Sequence, residues 1–370
     1  MRGKSFGAEG EVCAEVVFNT SMTGYQEILT DPSYRGQMIV MTCPHIGNVG
    51  VNAQDNESAR VQASALIAHE IETTPSNWRA TKSLPEWLRE QNVIALTGID
   101  TRLLTRRLRE RGVMKGIVST TDDDPARLVE KARAWAGLDG RDLVREVTCD
   151  ERYVWTESTL KEFAPFARDA HGKNSARAPH VVAYDYGIKF NILRRLVARG
   201  CRVSVVPAST CAKDSLALDP DGIVLSNGPG DPAALPYLAE TVREFLAARI
   251  PLFGICLGHQ ILGIALGART FKLKFGHHGG NHPVQHLASG RIAVTAQNHN
   301  YAIDADSLDP RRVEITHRSL NDDCVEGLRV KDAPAFSVQY HPESSPGPHD
   351  SDDLFGQFIR VMMNGNAKAN

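Results

Sequence analysis

A cysteine set between two glycines, and a histidine two residues ahead of a glutamate, are the parts of this chain best suited to covalent chemistry. Gly254-Ile255-Cys256-Leu257-Gly258 closes the apolar run Leu252–Ile255, which reads as a buried strand. Leu257, Ile261, Ile264, Ala265 and Ala268 then recur at helical spacing, so Cys256 is expected where a strand turns into a helix. The flanking glycines give the Gly-x-nucleophile-x-Gly spacing of a tight elbow, with room for a strained turn and a substrate. A thiol at a helix N-terminus feels the positive end of the macrodipole, which favours thiolate. An unassisted cysteine is only a few per cent thiolate at neutral pH, so this placement matters.

The second part lies 85 residues downstream, at Tyr340-His341-Pro342-Glu343. Ala335–Tyr340 reads as a strand, and Pro342 biases His341 towards extended backbone. Residues two apart in an extended segment point to one side, roughly 6.5 Å from each other. Glu343 is therefore expected to reach the imidazole of His341, fix its tautomer and stabilise its charged form. The bland alternative is a buried structural cysteine and an unrelated histidine; the two motifs together weigh against it.

The elements that must hold these residues are visible from His180 onward. Val181–Ala183, Arg202–Val206, Ile223–Leu225 and Leu252–Ile255 read as short apolar strands, separated by helices at Ile188–Arg199 and Tyr237–Ala248. That alternation predicts an α/β fold with a mostly parallel sheet covered on both faces, whose ligands sit at the carboxyl ends of the strands. Cys256 lies at such an end, and so does Ser226-Asn227-Gly228-Pro229-Gly230-Asp231-Pro232, whose glycines let backbone N–H groups approach a ligand.

Residues 151–178 are polar and read as a linker between a domain over 1–150 and a second over 179–370. In the first, Val12–Phe18 and Met38–Thr42 read as strands, with an irregular polar stretch between them to Arg35. Asp100 is placed to cap a helix over Thr101–Arg111 with Gly112 as its stop; that helix carries Arg102, Arg106, Arg107, Arg109 and Arg111. A solvated or ion-paired face is one reading of these arginines, and contact with a partner protein the other.

At 370 residues and 42% hydrophobic content, two globular domains are expected. Lys and Arg number 42 against 44 Asp and Glu, which gives no hint of nucleic-acid or membrane binding. No apolar run approaches the ~20 residues of a membrane span, and the opening residues lack the apolar stretch of a signal peptide. Seven cysteines, scattered without CxxC spacing, suggest neither a disulfide framework nor a zinc ribbon, and a reducing cytoplasm is the natural compartment.

The second half resembles a class I, triad-type glutamine amidotransferase domain on Gly254-Ile-Cys-Leu-Gly-His-Gln260 and His341-Pro-Glu343. The first half narrows the match. Phe18–Tyr34, Cys43-Pro-His-Ile-Gly-Asn48, Asp100-Thr-Arg-x-Leu-Thr-Arg106, Phe275–Pro283 and Ser345-Pro-Gly-Pro-His-Asp350 resemble the carbamoyl-phosphate synthase small-subunit family, over nearly all of the chain. The resemblance implies a C-terminal amidotransferase fold with a nucleophile elbow and an N-terminal α/β domain that contacts a large subunit. It implies Cys256 as the nucleophile on the glutamine amide carbon, His341 as general acid and base, and Glu343 as its orienter. The Leu257 N–H, with one from the Gly228–Gly230 loop, would form an oxyanion hole; such a donor is typically worth about 3 kcal/mol. Ser33, reaching in from the first domain, Gly228, Gly230, Leu257, Gln260, Asn298, Asn300 and Tyr301 would surround L-glutamine. The chain lacks a Walker-type phosphate loop. No cofactor is therefore expected in it, while ATP and a divalent metal are expected on the large subunit, which would receive the ammonia and make carbamoyl phosphate for arginine and pyrimidine synthesis.

Two departures stand out. The family usually has Asn-His-Gly-Phe or Asn-His-Gly-Tyr where this chain has Asn298-His-Asn300-Tyr301; asparagine tolerates left-handed backbone, so a turn there is expected to survive. The family also usually carries a further strand and turn ahead of Gly3, so a trimmed start and an incomplete first sheet are expected. The run His277-His278-Gly-Gly-Asn-His282 invites a metal, but it is read as loop structure and no metal is expected. The competing functions are a non-catalytic scaffold or regulatory subunit, and a free-standing hydrolase of γ-glutamyl bonds.

Overall fold

The computed structural model describes residues 1–159 and 177–366; most of the expected linker, residues 160–176, lies outside them. The chain divides into two units. One comprises 1–139 with 273–280 and 345–347, and the other 140–272, 281–344 and 348–370.

The C-terminal unit is built on a ten-stranded sheet whose centre is parallel. Arg202–Pro207, His180–Asp185, Gly222–Leu225, Leu252–Ile255 and Ala335–Val338 lie side by side in that order, all parallel. Antiparallel strands extend both ends: Tyr153–Trp155 beyond Arg202–Pro207, and Val325–Val330 then Val313–Ser319 beyond Ala335–Val338. The expected parallel character therefore holds for the five strands that carry the loops of interest.

These strands are apolar throughout because both faces are covered, and alternate side chains divide between two cores. On one face Val182, Tyr184, Ile223, Leu225 and Leu252 pack with Leu238, Val242 and Phe245 of the helix Pro236–Ala247 and with Ile261 and Leu262 of the helix Leu257–Ala265. On the other, Val181, Val205, Val224, Phe253 and Phe336 pack with Ile192 and Leu196 of the helix Phe190–Ala198 and with Phe355, Phe358 and Ile359 of the helix Asp353–Asn366. Phe253 stacks on Phe336 at 4.6 Å and meets Phe355 edge-on at 5.8 Å, fixing the strand that leads into Cys256.

The N-terminal unit has its own six-stranded sheet, in the order Lys4–Ser5, Ile94–Thr97, Ala65–Ile67, Gln37–Met41, Glu11–Asn19, Met114–Ser119. Its four inner strands are parallel and its two edge strands antiparallel. The helix Thr101–Arg111 forms as the spacing indicates, with Asp100 Oδ1 accepting from the Leu103 N–H at 2.8 Å and Gly112 ending it at φ 91°.

Two expectations need correction. The stretch before Arg35 is not irregular: Gly24 turns the chain at φ 79° into a helix, Tyr25–Thr30, followed by a 3-10 turn, Pro32–Tyr34. Tyr25, Ile28, Leu29 and Tyr34 are buried there, an apolar face that the interleaved Gln, Glu, Thr and Asp residues disguise. The histidine run at 277–282 is likewise no loop but part of a strand, Thr270–His286. His278 lies buried with its ring 5.9 Å from that of Tyr34, and its carbonyl accepts from the Thr20 N–H at 3.1 Å.

Candidate active site

Cys256 stands alone between the strand Leu252–Ile255 and the helix Leu257–Ala265, with φ 53° and ψ −103°. Such a conformation costs a non-glycine residue about 1–3 kcal/mol and persists only where the surroundings over-determine it. Here they do. The Cys256 N–H donates to the Val338 carbonyl at 2.9 Å, and the Cys256 carbonyl accepts from the N–H groups of His259 and Gln260, both at 3.1 Å.

The flanking glycines are needed for space. A Cβ on Gly254 would lie 2.8 Å from the Gly258 carbonyl oxygen, and one on Gly258 would collide with the backbone carbonyl of Leu225 on the next strand. Gly258→Ala should therefore destabilise the protein by about 2–3 kcal/mol, as overpacking does. The opposite sign, the gain of about 1 kcal/mol expected from helix propensity alone, would refute this close packing. A urea-unfolding midpoint distinguishes the two.

His341 and Glu343 meet as the i,i+2 spacing requires: His341 Nδ1 and Glu343 Oε1 are 2.7 Å apart, both groups buried. The strand stops at Val338, and the His341 N–H instead donates to the Ala296 carbonyl at 2.9 Å, which locks the extended backbone ahead of Pro342. Burial opposes a charge on His341, but the Glu343 carboxylate and then the Cys256 sulfur outweigh it and raise its pKa well above the usual histidine range. His341 Nε2 makes no hydrogen bond among the described residues and remains available for proton transfer.

The other histidine near the cysteine behaves in the opposite way. His259 is fully buried, its Nδ1 lies 2.9 Å from Ser337 Oγ, and burial followed by His317 pushes its pKa down to about 3. It is a neutral structural ring, unlike His341 with its carboxylate partner.

A cation that spacing did not single out completes the charge arrangement. Lys189 Nζ lies 3.0 Å from Glu343 Oε1, with both side chains almost wholly buried, and also donates to the Ser344 carbonyl. Burial alone would raise the Glu343 pKa; Lys189 and then His341 reverse that and hold the carboxyl well below its ordinary range. The available signal was a lone lysine within the buried run Tyr186-Gly-Ile-Lys-Phe190, directly after an apolar strand. Asn227 Oδ1 accepts from the Lys189 N–H at 3.1 Å, tying the glycine-rich loop to the same group.

Most of the expected glutamine-binding residues belong to this unit. The Cys256 thiol donates to the Asn298 carbonyl at 3.5 Å, while Gln339 Nε2 donates to the sulfur at 3.7 Å. Gln260 Nε2 donates to the Tyr301 carbonyl at 2.7 Å and to Gln339 Oε1 at 3.0 Å. Leu257 is the first residue of its helix, so its N–H has no acceptor within that helix. Gly228 lies against the Tyr186 carbonyl and the Leu257 side chain, and Gly230 faces Leu143. Asn300 sits in the strand Ile292–Ile303 and is absent from the non-glycine residues with positive φ. The expected left-handed turn is therefore not formed; extended backbone accepts asparagine without strain. Ser33 belongs to the N-terminal unit, where it is buried and its N–H donates to Asp31 Oδ1 at 2.9 Å.

Among the described residues no helix is long and apolar enough to cross a membrane. A strained cysteine at a helix start, beside a carboxylate-bound histidine of raised basicity, is an arrangement for nucleophilic attack on an acyl carbon. Comparison with known proteins agrees. Residues 182–361 match the family model for class-I glutamine amidotransferases, and residues 1–118 match that for the CPSase domain of the carbamoyl-phosphate synthase small chain. The carbamoyl phosphate synthase small chain of Syntrophotalea carbinolica is 54% identical over 97% of this chain and 94% of its own. That of Escherichia coli K12 is 52% identical over the same shares, and the chloroplastic small chain of Oryza sativa is 53% identical over 98% of this chain and 80% of its own. Identity at this level, spread over both units, places the chain in the carbamoyl phosphate synthase small chain family.

Proposed function

We propose that this chain is the glutamine-hydrolysing subunit of a carbamoyl phosphate synthase and acts through Cys256, His341 and Glu343. The observation that carries the reading is the buried His341–Glu343 pair at 2.7 Å in the same amidotransferase unit as the strained Cys256 elbow. The Cys256 proton passes to His341 Nε2, and the sulfur attacks the amide carbon of L-glutamine. The C–S bond forms, and the carbonyl oxygen takes up the negative charge facing the Leu257 N–H and the Gly228–Gly230 loop. Imidazolium returns the proton to the amide nitrogen, the C–N bond breaks, and ammonia leaves a γ-glutamyl thioester. His341 then takes a proton from water, hydroxide attacks the thioester, the C–S bond breaks as imidazolium returns that proton to the sulfur, and the new γ-carboxyl group gives its own proton to solvent as glutamate departs. Asn298, Asn300, Gln260 and Tyr301 surround the substrate in this reading, and Ser33 is added on the resemblance alone.

The ammonia has its destination in a large chain that carries ATP and a divalent metal and performs the ligase chemistry on bicarbonate, in the cytoplasm, for arginine and pyrimidine synthesis. A free-standing γ-glutamyl hydrolase would leave the family match over residues 1–118 without a purpose, and a non-catalytic scaffold would leave the buried charge cluster without one. Acid quenching during turnover of labelled glutamine is the direct test. Label should be trapped on Cys256 as a hydroxylamine-sensitive thioester and vanish in Cys256→Ala. Label persisting in that variant would reject the assignment.

A further inference from the structure

Two polar residues interrupt the apolar run Ala335–Tyr340 that ends beside Cys256, and both face the helix Leu257–Ala265. Phe336, Val338 and Tyr340 point into one core, so alternation turns Ser337 and Gln339 to the other side. Ser337 Oγ lies 2.9 Å from His259 Nδ1, and Gln339 Oε1 accepts from Gln260 Nε2 at 3.0 Å. Gln339 is fully buried, and its own N–H donates to the Glu326 carbonyl at 3.0 Å, so backbone and side chain are both held.

The chain of partners fixes which end of the Gln339 amide faces the sulfur. The Tyr301 carbonyl can only accept, so the Gln260 atom 2.7 Å from it must be Nε2. That nitrogen gives its second proton to Gln339, whose atom 3.0 Å away must then be Oε1. Gln339 Nε2 is thereby turned to Cys256 Sγ and donates to it at 3.7 Å. A second hydrogen bond runs the opposite way, from the thiol to the Asn298 carbonyl at 3.5 Å. An acceptor there opposes negative charge on the sulfur, and a donor favours it.

We propose that Gln339 is a further catalytic residue, a fixed amide donor that stabilises negative charge on the Cys256 sulfur, with Gln260 as its positioning residue. The proposal rests on the functional reading above and deepens it. In that reading negative charge builds on the sulfur twice. It does so when the thiol proton passes to His341 before the C–S bond forms, and again when that bond breaks and its electron pair returns to sulfur. His341 carries a proton at each of these moments but hands it on, first to the amide nitrogen and finally to the sulfur. The Gln339 amide neither titrates nor moves a proton, so its contribution is present both times. A preorganised donor acts on charge as it develops, and hydrogen bonds to ionised groups are about twice as strong as neutral ones.

The test is the pH profile of iodoacetamide alkylation in the full-length chain, read on the Cys256 peptide, alongside glutamine turnover with the large chain present. Gln339→Met keeps the length of the side chain and removes the donor. The half-maximal pH of alkylation should rise by about one unit, equivalent to a tenfold loss of thiolate. In the same variant kcat should fall at least about tenfold, with KM for glutamine changed less than about threefold. A residue that serves only to pack would leave the alkylation profile in place. Gln260→Met leaves the residue at the sulfur intact and should move the profile the same way by a smaller amount, which covers the case in which Gln339→Met folds poorly. An unchanged profile in Gln339→Met, or in Gln260→Met where that is the variant that folds, overturns the proposal. The glutaminase reading stands in that event as long as labelled glutamine is still trapped on Cys256. A shift in Gln339→Met without one in Gln260→Met overturns the positioning role of Gln260. A wild-type chain that traps no label on Cys256 overturns the glutaminase reading and the proposal together.

Discussion

Cys256→Ser is expected to abolish glutamine-dependent carbamoyl phosphate synthesis, lowering kcat by at least about 10³-fold, while synthesis from added ammonia continues with the large chain present. The strained backbone, the Asn298 carbonyl and the Gln339 amide should accept serine, since it is smaller and also a donor. What changes is the proton: a serine hydroxyl is far less acidic than a thiol, and imidazolium beside Glu343 would not leave it ionised. Parallel assays with glutamine and with an ammonium salt separate the outcomes. Loss of both activities would mean that assembly, not chemistry, has been damaged, and undiminished glutamine use would remove Cys256 from the mechanism.

The second large effect belongs to Lys189. Lys189→Met removes the cation 3.0 Å from Glu343 Oε1 and leaves a fully buried carboxylate with His341 as its remaining partner. Breaking a buried pair from one side typically costs about 3–5 kcal/mol, because the other charge remains desolvated. The pH dependence follows from the sign of the shift. The Glu343 pKa is depressed in the folded protein, so its contribution is present above the unfolded carboxylate range and is lost as pH falls through the folded value. The stability gap between wild type and Lys189→Met should thus be widest near pH 7 and narrow below pH 4, as measured by urea unfolding. With Glu343 protonated more readily, His341 loses its counter-ion, and kcat should fall by roughly 10²-fold. A gap that does not change with pH would mean that Lys189 acts by packing.

How much of this could be read from residues alone depended on whether the determining contact was local. The elbow was readable because strand, nucleophile and helix are consecutive, and its glycines announce a close backbone approach that the Leu225 carbonyl explains. His341 and Glu343 were readable because two residues of extended chain decide their separation. Lys189 was not, since it meets Glu343 across 154 residues of sequence and its own neighbours read simply as the start of a helix. The strand Thr270–His286 escaped for a different reason. Its lysines, histidines and glycines lack the alternation of a half-buried strand, and its partners at 313–319 are equally polar. Asn300 shows the converse error: a family pattern suggested a turn where the backbone is extended.

The shared oxygen of Glu343 has a consequence for what leaves the site. Glu343 contributes one negative charge and Lys189 one positive, so the buried cluster is electrically neutral when Cys256 and His341 carry their proton as thiol and imidazole. In the proposed attack an imidazolium faces an oxyanion, and the sum is again zero. After the proton reaches the leaving nitrogen, imidazole faces an uncharged thioester, and the sum is still zero. In the proposed mechanism one proton travels from the thiol through His341 to the leaving nitrogen, so that relay delivers NH₃. Uncharged ammonia is the nucleophilic form of the nitrogen, so in the proposed function it would need no deprotonation step before reacting on a partner chain.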